Sequence, residues 1–333
     1  MNIIQAGVAK SGNYWVWKII DLTLKAAYGE PSKYIVKHKE FQNLKNNRFT
    51  HVDQLYTDVL DVDMTGYYLR VGPYFKEKIH DIEDYIDQAQ HIWTHSEYNP
   101  NFENVLKKIK KTIYIIRHPA DVAMSQANFA FTPYIMEGQP HNEKTPQEYL
   151  QNRLEWSLYS WRHNVTGWLA NIPKGSYILF YENLKNDFDA EYQKLLTFLE
   201  INLPKERYSL IKDSVTAEHM SKKNPDHVRK IGKSNLHLRK NDQKKVDDIV
   251  GPVLDKLNYS KSKKIFLYPN ELNEHNSKEF IPLYRNSTIS ILKLPKAIFQ
   301  LIISRRNLRD KFKISIKKAK IILNHWIHSF RNY

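Results

Sequence analysis

A glycine-bounded segment near the start of the chain contains residue types that bind phosphate. The segment GVAKSG (residues 7–12) carries Lys10 and Ser11 between two glycines in G-x-x-x-x-G spacing. Where such a loop joins a strand to a helix, its backbone N–H groups bind an anion. The Lys and Ser/Thr that follow the second glycine in nucleotide triphosphatases are replaced by Asn13-Tyr14, so the hydroxyl that holds Mg²⁺ is missing. The loop therefore indicates a phosphate bound without a metal, although KSG alone also fits a surface turn.

Polar side chains also follow the other predicted strands. The β-prone runs HIWT, KTIYII and SYILF end at His95, Arg117 and Tyr181, respectively. The carboxyl ends of parallel strands meet at one edge of a sheet, where ligands bind. We therefore expect these three side chains to gather around the glycine-bounded loop.

Strand-like and helix-like segments alternate along most of the chain. In the stretch after the loop, apolar residues recur at helical spacing at Trp15, Ile19, Leu22 and Ala26. The alternation predicts an α/β fold with a central parallel sheet, a P-loop-like phosphate-binding loop and flanking helices. For residues 31–90, the pattern does not show in which order helices and strands follow one another. The predicted strands cover residues 2–6, 91–94, 111–116 and 176–180, and two further predicted helices cover residues 121–129 and 147–170.

The composition is that of an ordered protein without cysteine chemistry. Of the 333 residues, 41% are hydrophobic and 13% are aromatic, which excludes disorder over most of the chain. The absence of cysteine excludes disulfides, thiolate metal sites and cysteine nucleophiles. The sequence shows no signal-peptide pattern and no apolar run of about 18 residues, so we expect a cytoplasmic protein.

The positive charge is concentrated towards the C-terminus. The formal net charge is +15, and residues 281–333 supply 12 Lys/Arg against one acid, Asp310. The other residues are nearly balanced, with 39 Lys/Arg against 35 Asp/Glu, which argues against a nucleic-acid partner. Because residues 267–281 are polar and rich in turn formers, we divide the chain into a main domain at 1–265 and an extension at 266–333.

The extension has the pattern of a basic amphipathic helix. From Lys296 onward, apolar residues recur at steps of three and four, with Lys and Arg between them. Such a helix lies on an anionic membrane, joins two subunits or docks on its own domain. We expect residues 282–333 to contact the inner face of a membrane peripherally or to form a homo-oligomer, and docking on the main domain stays open.

Two longer motifs resemble those of the cytosolic-type sulfotransferases that use 3′-phosphoadenosine 5′-phosphosulfate (PAPS). GVAKSGNYW is similar to the family's 5′-phosphosulfate loop TYPKSGTTW, and YIIRHPADVAMSQANF to its 3′-phosphate motif YxxRNPKDVAVSxxxF. Thr94-His95 resembles the family's TH pair, ILFYENLK its LFYEDMK, MSKKNP its MKKNP and RKIG its RKG. The motifs follow the family's order, and the resemblance covers about residues 1–260.

The resemblance implies that a sulfuryl group moves from PAPS to an acceptor hydroxyl, with adenosine 3′,5′-bisphosphate (PAP) as product and no metal. The expected catalytic residues are His95, the base that takes the acceptor proton, and Lys10, which stabilises the leaving oxygen. Arg117 and Ser125 are expected on the 3′-phosphate, and Trp15 and Tyr181 beside the adenine. The full set expected to bind the donor is Lys10, Ser11, Gly12, Asn13, Tyr14, Trp15, Arg117, Ser125, Tyr181, Arg229 and Lys230.

The chain departs from the family's pattern at both ends of the donor site. Ala9 replaces the Pro before the loop lysine, and Asn13 and Tyr14 replace two threonines, so two hydroxyl contacts are lost or rerouted. Lys233-Ser234-Asn235 replace the Gly-Asp-Trp that follows the family's RKG. At these positions the sequence does not show which side chains of the two segments contact the donor.

Two other functional classes remain open at the level of sequence. A P-loop nucleotide kinase or NTPase would use the same loop, and a membrane-surface adaptor would act through the basic extension. For a sulfotransferase, the acceptor could be a glycan, a lipid-linked saccharide or a small hydroxylated molecule. We expect its pocket to be formed within residues 31–90 and 131–147, which carry no recognisable pattern.

Overall fold

The computed structural model describes residues 1–72, 75–139, 141–224 and 236–259. Several sequence predictions lie outside these residues: the division at residue 265, the basic extension, and the positions of Arg229 and Lys230. Among the described helices, none is both long enough and apolar enough to cross a membrane.

The described residues form one mixed sheet in the order β4-β3-β2-β5-β1-β6-β7. Strands β2, β5, β1, β6 and β7 run parallel, which confirms the predicted parallel sheet for five strands. Strands β3 and β4 pair antiparallel at one edge. The bounds are β1 Ile3–Gly7, β2 Asp58–Asp63, β3 Gly66–Val71, β4 Phe75–Ile79, β5 His91–Thr94, β6 Lys111–Ile116 and β7 Tyr177–Phe180.

The central strands are buried on both faces because helices cover both sides of the sheet. All residues of β1, β5 and β7 are buried, and so are all residues of β6 except Lys111. Parallel strands read as continuous apolar runs for this reason, which is why the sequence located β5 and β6 with the observed bounds.

The antiparallel strands lie within residues 31–90, where two residues separate β2 from β3 and three separate β3 from β4. A short turn joins β2 to β3, where Asp63 accepts hydrogen bonds from the backbone and hydroxyl of Thr65, and Gly66 has a φ of 136°. A connection this short can only reverse the chain. Strand β2 alternates between buried and half-buried residues, a pattern typical of a sheet with one polar face.

Helices fill the connections and pack on both faces of the sheet. A 3₁₀ turn spans Gln54–Tyr56. The α-helices are α1 Asn13–Tyr28, α2 Tyr34–Lys37, α3 Phe41–Leu44, α4 Ile82–Gln88, α5 Phe102–Leu106, α6 Pro119–Ala130, α7 Pro133–Gly138, α8 Pro146–Asn171, α9 Tyr181–Asn186, α10 Phe188–Leu199, α11 Lys205–Ser214, α12 Ala217–Lys223 and α13 Lys240–Lys256.

The apolar stripe predicted for α1 is not the face that the helix buries most deeply. Of its four residues, only Ile19 is fully buried, whereas Trp15, Leu22 and Ala26 are half-buried. The buried face is centred instead on Val16, Trp17, Ile20 and Leu24. The helix predicted from this spacing is present, and a second face is buried more deeply because α1 carries apolar residues around most of its circumference, so that more than one stripe fits helical spacing.

Two tryptophans of α8 hold the ends of the strands that lead into the site. The indole N–H of Trp161 donates to the carbonyl of Arg117 at 3.0 Å, and that of Trp168 donates to the carbonyl of Ser96 at 3.0 Å. Both side chains are fully buried. Helix α8 therefore fixes the backbone where β5 and β6 end.

Candidate active site

The glycine-bounded segment forms a tight loop between β1 and the first turn of α1. Lys10 and Gly12 both have left-handed backbone conformations, with φ of 75° and 95°. Gly12 is the N-cap of α1 and supplies no side chain to cap it, and the first turn contains no acidic residue. The first N–H groups of a helix have no partner within the helix, so this end of α1 is open to an anion.

Side chains from four directions hold the carbonyl groups of the loop. They anchor the loop from outside, so its conformation is set before any ligand binds. The donor-to-carbonyl pairs are His95 Nδ1 to Gly7 at 2.7 Å, Asn13 Nδ2 to Val8 at 2.8 Å, Gln126 Nε2 to Ala9 at 3.5 Å and Arg117 Nη1 to Lys10 at 3.0 Å.

Several buried polar atoms at the loop have no hydrogen-bond partner among the residues that the structure describes. They include the hydroxyl of Ser11, which is fully buried, the Nε of Arg117 and the indole N–H of Trp15. A buried polar atom without a partner costs about 1–3 kcal/mol, so such atoms mark sites that a ligand completes. A hydroxyl, a guanidinium N–H and an indole N–H can each donate to a phosphate or sulfate oxygen, and the loop therefore fits an oxyanion.

Aromatic rings form one wall beside the loop. The guanidinium carbon of Arg117 lies 4.3 Å from the ring centroid of Tyr181, and the rings of Trp15 and Tyr181 meet edge to face at 5.7 Å. A Cβ atom on Gly12 would lie only 2.4 Å from Cδ2 of Tyr181. Glycine is thus required here both for its φ and for the close approach of this ring.

Lys10 projects towards the helix that follows β6. Its Nζ lies 3.8 Å from the ring centroid of Phe129 on α6. Ser125 lies on the same helix and is half-buried, and Arg117 precedes the helix at the end of β6. The structure therefore brings the expected 3′-phosphate residues to the carboxyl edge of the sheet together with the loop.

His95 follows β5 and is aligned by the loop itself. Because a carbonyl only accepts, the contact with Gly7 requires the proton on Nδ1, and the Nε2 of the neutral ring keeps a lone pair. Burial is the main cause that lowers the pKa of His95 to about 4, with smaller contributions from the positive charges of Arg70 and Lys10. The ring is therefore neutral at pH 7, as a base must be.

Tyr14 points away from the loop into a buried polar cluster. Its hydroxyl donates to Asp53 at 2.8 Å and accepts from the side-chain amide of Asn224 at 3.1 Å, while Lys18 also contacts Asp53 at 2.9 Å. Burial raises the pKa of the Tyr14 hydroxyl above its usual range. The ring stacks on His51 at 4.0 Å. Among the expected donor-binding side chains that the structure describes, Tyr14 is thus directed away from the loop.

The structure adds supporting residues that the sequence did not single out. Gln126 on α6 braces the loop, and Glu182 on α9 accepts from the backbone N–H of His118 at 2.8 Å and from the hydroxyl of Tyr259 at 3.2 Å. Both follow a motif residue directly in sequence, Gln126 after Ser125 and Glu182 after Tyr181. Their positions directly after motif residues were the feature of the sequence that could have identified them as part of the site.

A loop that fits an oxyanion, an aligned neutral histidine and an arginine all lie at the carboxyl edge of a largely parallel sheet. This arrangement defines an anion-binding α/β protein of the P-loop-like class. The sulfotransferase domain family matches residues 2–250. The chain belongs to this family.

Individual relatives agree with the family assignment over shorter stretches. The chain is 32% identical to Sulfotransferase 1A1 of Mus musculus over 138 residues, which is 40% of this chain and 45% of that protein. It is 30% identical to the amine sulfotransferase of Oryctolagus cuniculus over 111 residues, 33% of this chain and 36% of that protein. The chain thus spans less than half the length of these curated relatives.

A solved structure shows the same fold. The mouse sulfotransferase SULT7A1, crystallised with PAP, superposes with a TM-score of 0.51 at 19% identity, covering 79% of this chain and 86% of that chain.

Proposed function

We propose that this protein is a sulfotransferase that moves the sulfuryl group of PAPS to an acceptor hydroxyl and releases PAP. The observation that carries the proposal is the loop of residues 8–12, braced from outside by side chains and lined by unpartnered donors at the open end of α1. Membership of the sulfotransferase domain family supports the same activity.

The donor is a multiply charged anion that supplies the transferable sulfuryl group. Ser11 and the N-terminal N–H groups of α1 would hold its 5′ end, and Lys10 would offset the negative charge that grows on the leaving oxygen. Arg117 and Ser125, with Arg229 and Lys230, are proposed to hold the 3′-phosphate. Trp15 and Tyr181 would flank the adenine.

His95 is the proposed general base. Its Nε2 lone pair takes the proton of the acceptor hydroxyl as the acceptor oxygen forms its bond to sulfur. The bond between sulfur and the bridging oxygen breaks in the same in-line step, and the electron pair stays on the phosphate oxygen of PAP. The hydrogen bond from Nδ1 to Gly7 keeps the ring in the tautomer that this step requires.

The position of Asn13 disfavours a kinase that uses Mg²⁺ in the P-loop manner. Where such an enzyme has a Lys-Ser/Thr pair, the side-chain amide of Asn13 is already committed to the carbonyl of Val8. This amide stabilises the loop internally and supplies no hydroxyl for a metal. We therefore do not propose nucleotide kinase activity.

Calorimetric titration with PAP tests the donor site. We expect micromolar binding without metal, and weaker binding of AMP and of ATP with Mg²⁺. Lys10→Ala and Arg117→Ala should each weaken PAP binding by at least ~10-fold, because each removes a charge that faces a phosphate. Arg207→Ala is the matched control, since that arginine contacts the carbonyl of Ala26 at the far end of α1.

The base is tested separately from donor binding. His95→Ala should still bind PAP, weakened only by the loss of one of the four side chains that hold the loop, and should lose transfer of radiolabelled sulfate to any acceptor that the unmodified protein uses. The proposal would be contradicted if the protein preferred ATP with Mg²⁺ to PAP. It would also be contradicted if Lys10→Ala and Arg117→Ala both bound PAP as tightly as the unmodified protein. Retained transfer by His95→Ala would remove His95 as base and leave the donor site intact.

The basic extension at 266–333 remains a proposal with its own test. If residues 282–333 attach the protein to a membrane, the full chain should sediment with anionic liposomes at low salt, and a chain ending at residue 265 should not. Self-association of the full chain alone, measured by ultracentrifugation, would instead support the homo-oligomer.

A further inference from the structure

One face of the antiparallel edge is polar where the rest of the sheet is apolar. Residues of β2, β3 and β4 contribute to the apolar cluster on one side of the sheet, through Leu60, Leu69 and Ile79. The apolar cluster on the other side, which α1 covers, contains no residue from these three strands. On that second side the three strands present the charged residues Asp61, Arg70 and Lys76, together with Val59 and Tyr68.

Strand register places this charged face beside the proposed base. Val59 on β2 is the partner of Trp93 on β5 and of Arg70 on β3. Side chains two positions apart share a face, so Asp61 and His95 lie on the same side as these partners. The two strands stay together beyond the ladder, because the N–H of Val62 donates to the hydroxyl of Ser96 at 2.9 Å.

The charges on this face act directly on His95. The positive charge of Arg70 lowers the pKa of His95, and the negative charge of Asp61 raises it. These opposed effects agree with the strand register, which places both charged groups on the side of the sheet where the imidazole lies. A molecule whose hydroxyl reaches Nε2 of His95 therefore lies within the field of this pair.

Arg70 keeps most of its hydrogen-bonding capacity unused within the described residues. Its Nε donates to Asp61 at 2.9 Å, and no described residue accepts from either Nη group. The second carboxylate oxygen of Asp61 lies 3.8 Å from Nζ of Lys76. The three side chains are only 17–23% exposed, so the pair is partly desolvated but still accessible.

An apolar acceptor would be a poor fit for this face. A steroid or simple phenol would remove water from the Arg70 guanidinium without replacing the lost hydrogen bonds, which costs free energy for every unpaired donor. A polyhydroxylated molecule replaces those hydrogen bonds, because vicinal hydroxyls accept from a guanidinium and donate to a carboxylate. The charges of Asp61 and Arg70 cancel, so a neutral polyol is matched as well as a charged one.

We propose that the acceptor is a saccharide, and that Asp61 and Arg70 bind its hydroxyl groups beside His95. This inference rests on the proposed sulfotransferase function and narrows its acceptor class. Asp61 and Arg70 are then specificity residues, and Lys76 holds Asp61 from the neighbouring strand.

A matched acceptor panel tests the proposal. Radiolabelled transfer from PAPS is measured to p-nitrophenyl glycosides of neutral, N-acetylated and uronic acid sugars, and to 2-naphthol and a 3-hydroxysteroid. We expect the best glycoside to exceed both apolar acceptors in kcat/KM by at least ~10-fold. Saturation-transfer NMR on the complex with PAP should show contact with that glycoside, independently of turnover.

Variants separate acceptor recognition from folding and from donor binding. Arg70→Met and Asp61→Asn should raise KM for the glycoside by at least ~10-fold and leave PAP affinity within about twofold, so that the preference for the glycoside over 2-naphthol falls in both variants. Arg207→Met is the control and should change none of these values. The proposal is overturned if an apolar acceptor is preferred, if both variants reduce both acceptor classes equally, or if no glycoside reacts although PAP binds. Failure to bind PAP would refute the proposed function as well.

Discussion

Strands β1, β6 and β7 are buried on both faces, whereas β2, β3 and β4 bury one face and leave the other charged. We call the first group, with the loop of residues 8–12, the donor half, and the second group the acceptor half. In the donor half each loop carbonyl from Gly7 to Lys10 has a side-chain partner. In the acceptor half, by contrast, the Nη groups of Arg70 have no acceptor within the described part of the chain.

Because of this difference, a substitution in the donor half and a substitution in the acceptor half should change different properties of the protein. A close-packed, fully braced loop has one arrangement, so a change there removes binding of the donor as a whole. A half-exposed charged face tolerates substitution with small losses of stability, so a change there alters which acceptor fits. Four substitutions or conditions test this contrast.

Gly12→Ala should have the largest effect. The added Cβ would lie 2.4 Å from Tyr181 at a φ of 95°, so both the ring and the backbone must move. We expect PAP affinity to fall by ~100-fold or more, about 2.7 kcal/mol. Calorimetry measures the loss.

Gly29→Ala is the matched control for this substitution. Gly29 ends the same helix at a φ of 90°, and within the described residues no atom outside Gly29 and its two chain neighbours lies within 4 Å of an added Cβ. It should lower the unfolding free energy by ~1 kcal/mol and leave PAP affinity within about twofold. Unchanged PAP binding by Gly12→Ala would show that the donor half is not rigid.

The pH dependence of kcat/KM for the donor tests the histidine that joins the two halves. With a pKa of about 4, His95 is almost entirely neutral at both pH 5.5 and pH 7.5. Protonation removes the base only as the pH falls towards 4, so kcat/KM at the two pH values should agree within about twofold. A ~10-fold lower value at pH 5.5 would mean an unperturbed histidine with a pKa near 6.5.

Tyr14→Phe should affect stability more than donor binding. The hydroxyl joins Asp53 and Asn224 in a buried cluster, so its loss should lower the unfolding free energy by ~1–2 kcal/mol. PAP affinity should stay within about threefold, because the hydroxyl faces away from the loop. Tyr28→Phe, at an exposed tyrosine of the same helix, is the control for denaturant unfolding. A larger loss of PAP affinity than of stability would return Tyr14 to the donor site.

Lys76→Met should have the smallest effect. Its Nζ lies 3.8 Å from Asp61 and 4.0 Å from Asp63, at distances where ion pairs contribute little. We expect a change in unfolding free energy below ~0.5 kcal/mol, unchanged PAP affinity and a KM for a glycoside raised by about threefold. A loss of PAP affinity would show that the two halves are not separable.

The sequence predicted the loop, the helix that follows it and the strand ends beside them, because the residues that indicate each element are adjacent in the chain. The strands that end at His95 and Arg117 are continuous apolar runs, and the loop, the helix that follows and their polar residues are adjacent in the chain. The exception was Tyr14. Its partners Asp53 and Asn224 are distant in sequence, so nothing near it showed that the side chain turns away from the loop.

The sequence did not predict the charged face of the acceptor half. Its pattern of polar and apolar residues is weak, and its contacts join residues on different strands. In strand β2 only Asp61 and Asp63, two positions apart, mark the face that is not fully buried, and this short sequence pattern does not show a polar face by itself. Only the pairing of Val59 with Arg70 and with Trp93 brings this face to His95, and that register depends on two turns and a crossover. Residue types alone do not determine this strand register.

The single hydrogen bond between His95 and Gly7 has a consequence for the order of events. The group that activates the acceptor is oriented by the first residue of the loop that receives the donor. Because the loop is already held by its side-chain partners, the imidazole ring is oriented through this contact of 2.7 Å before the donor arrives. The orientation of the histidine therefore does not depend on which substrate binds first.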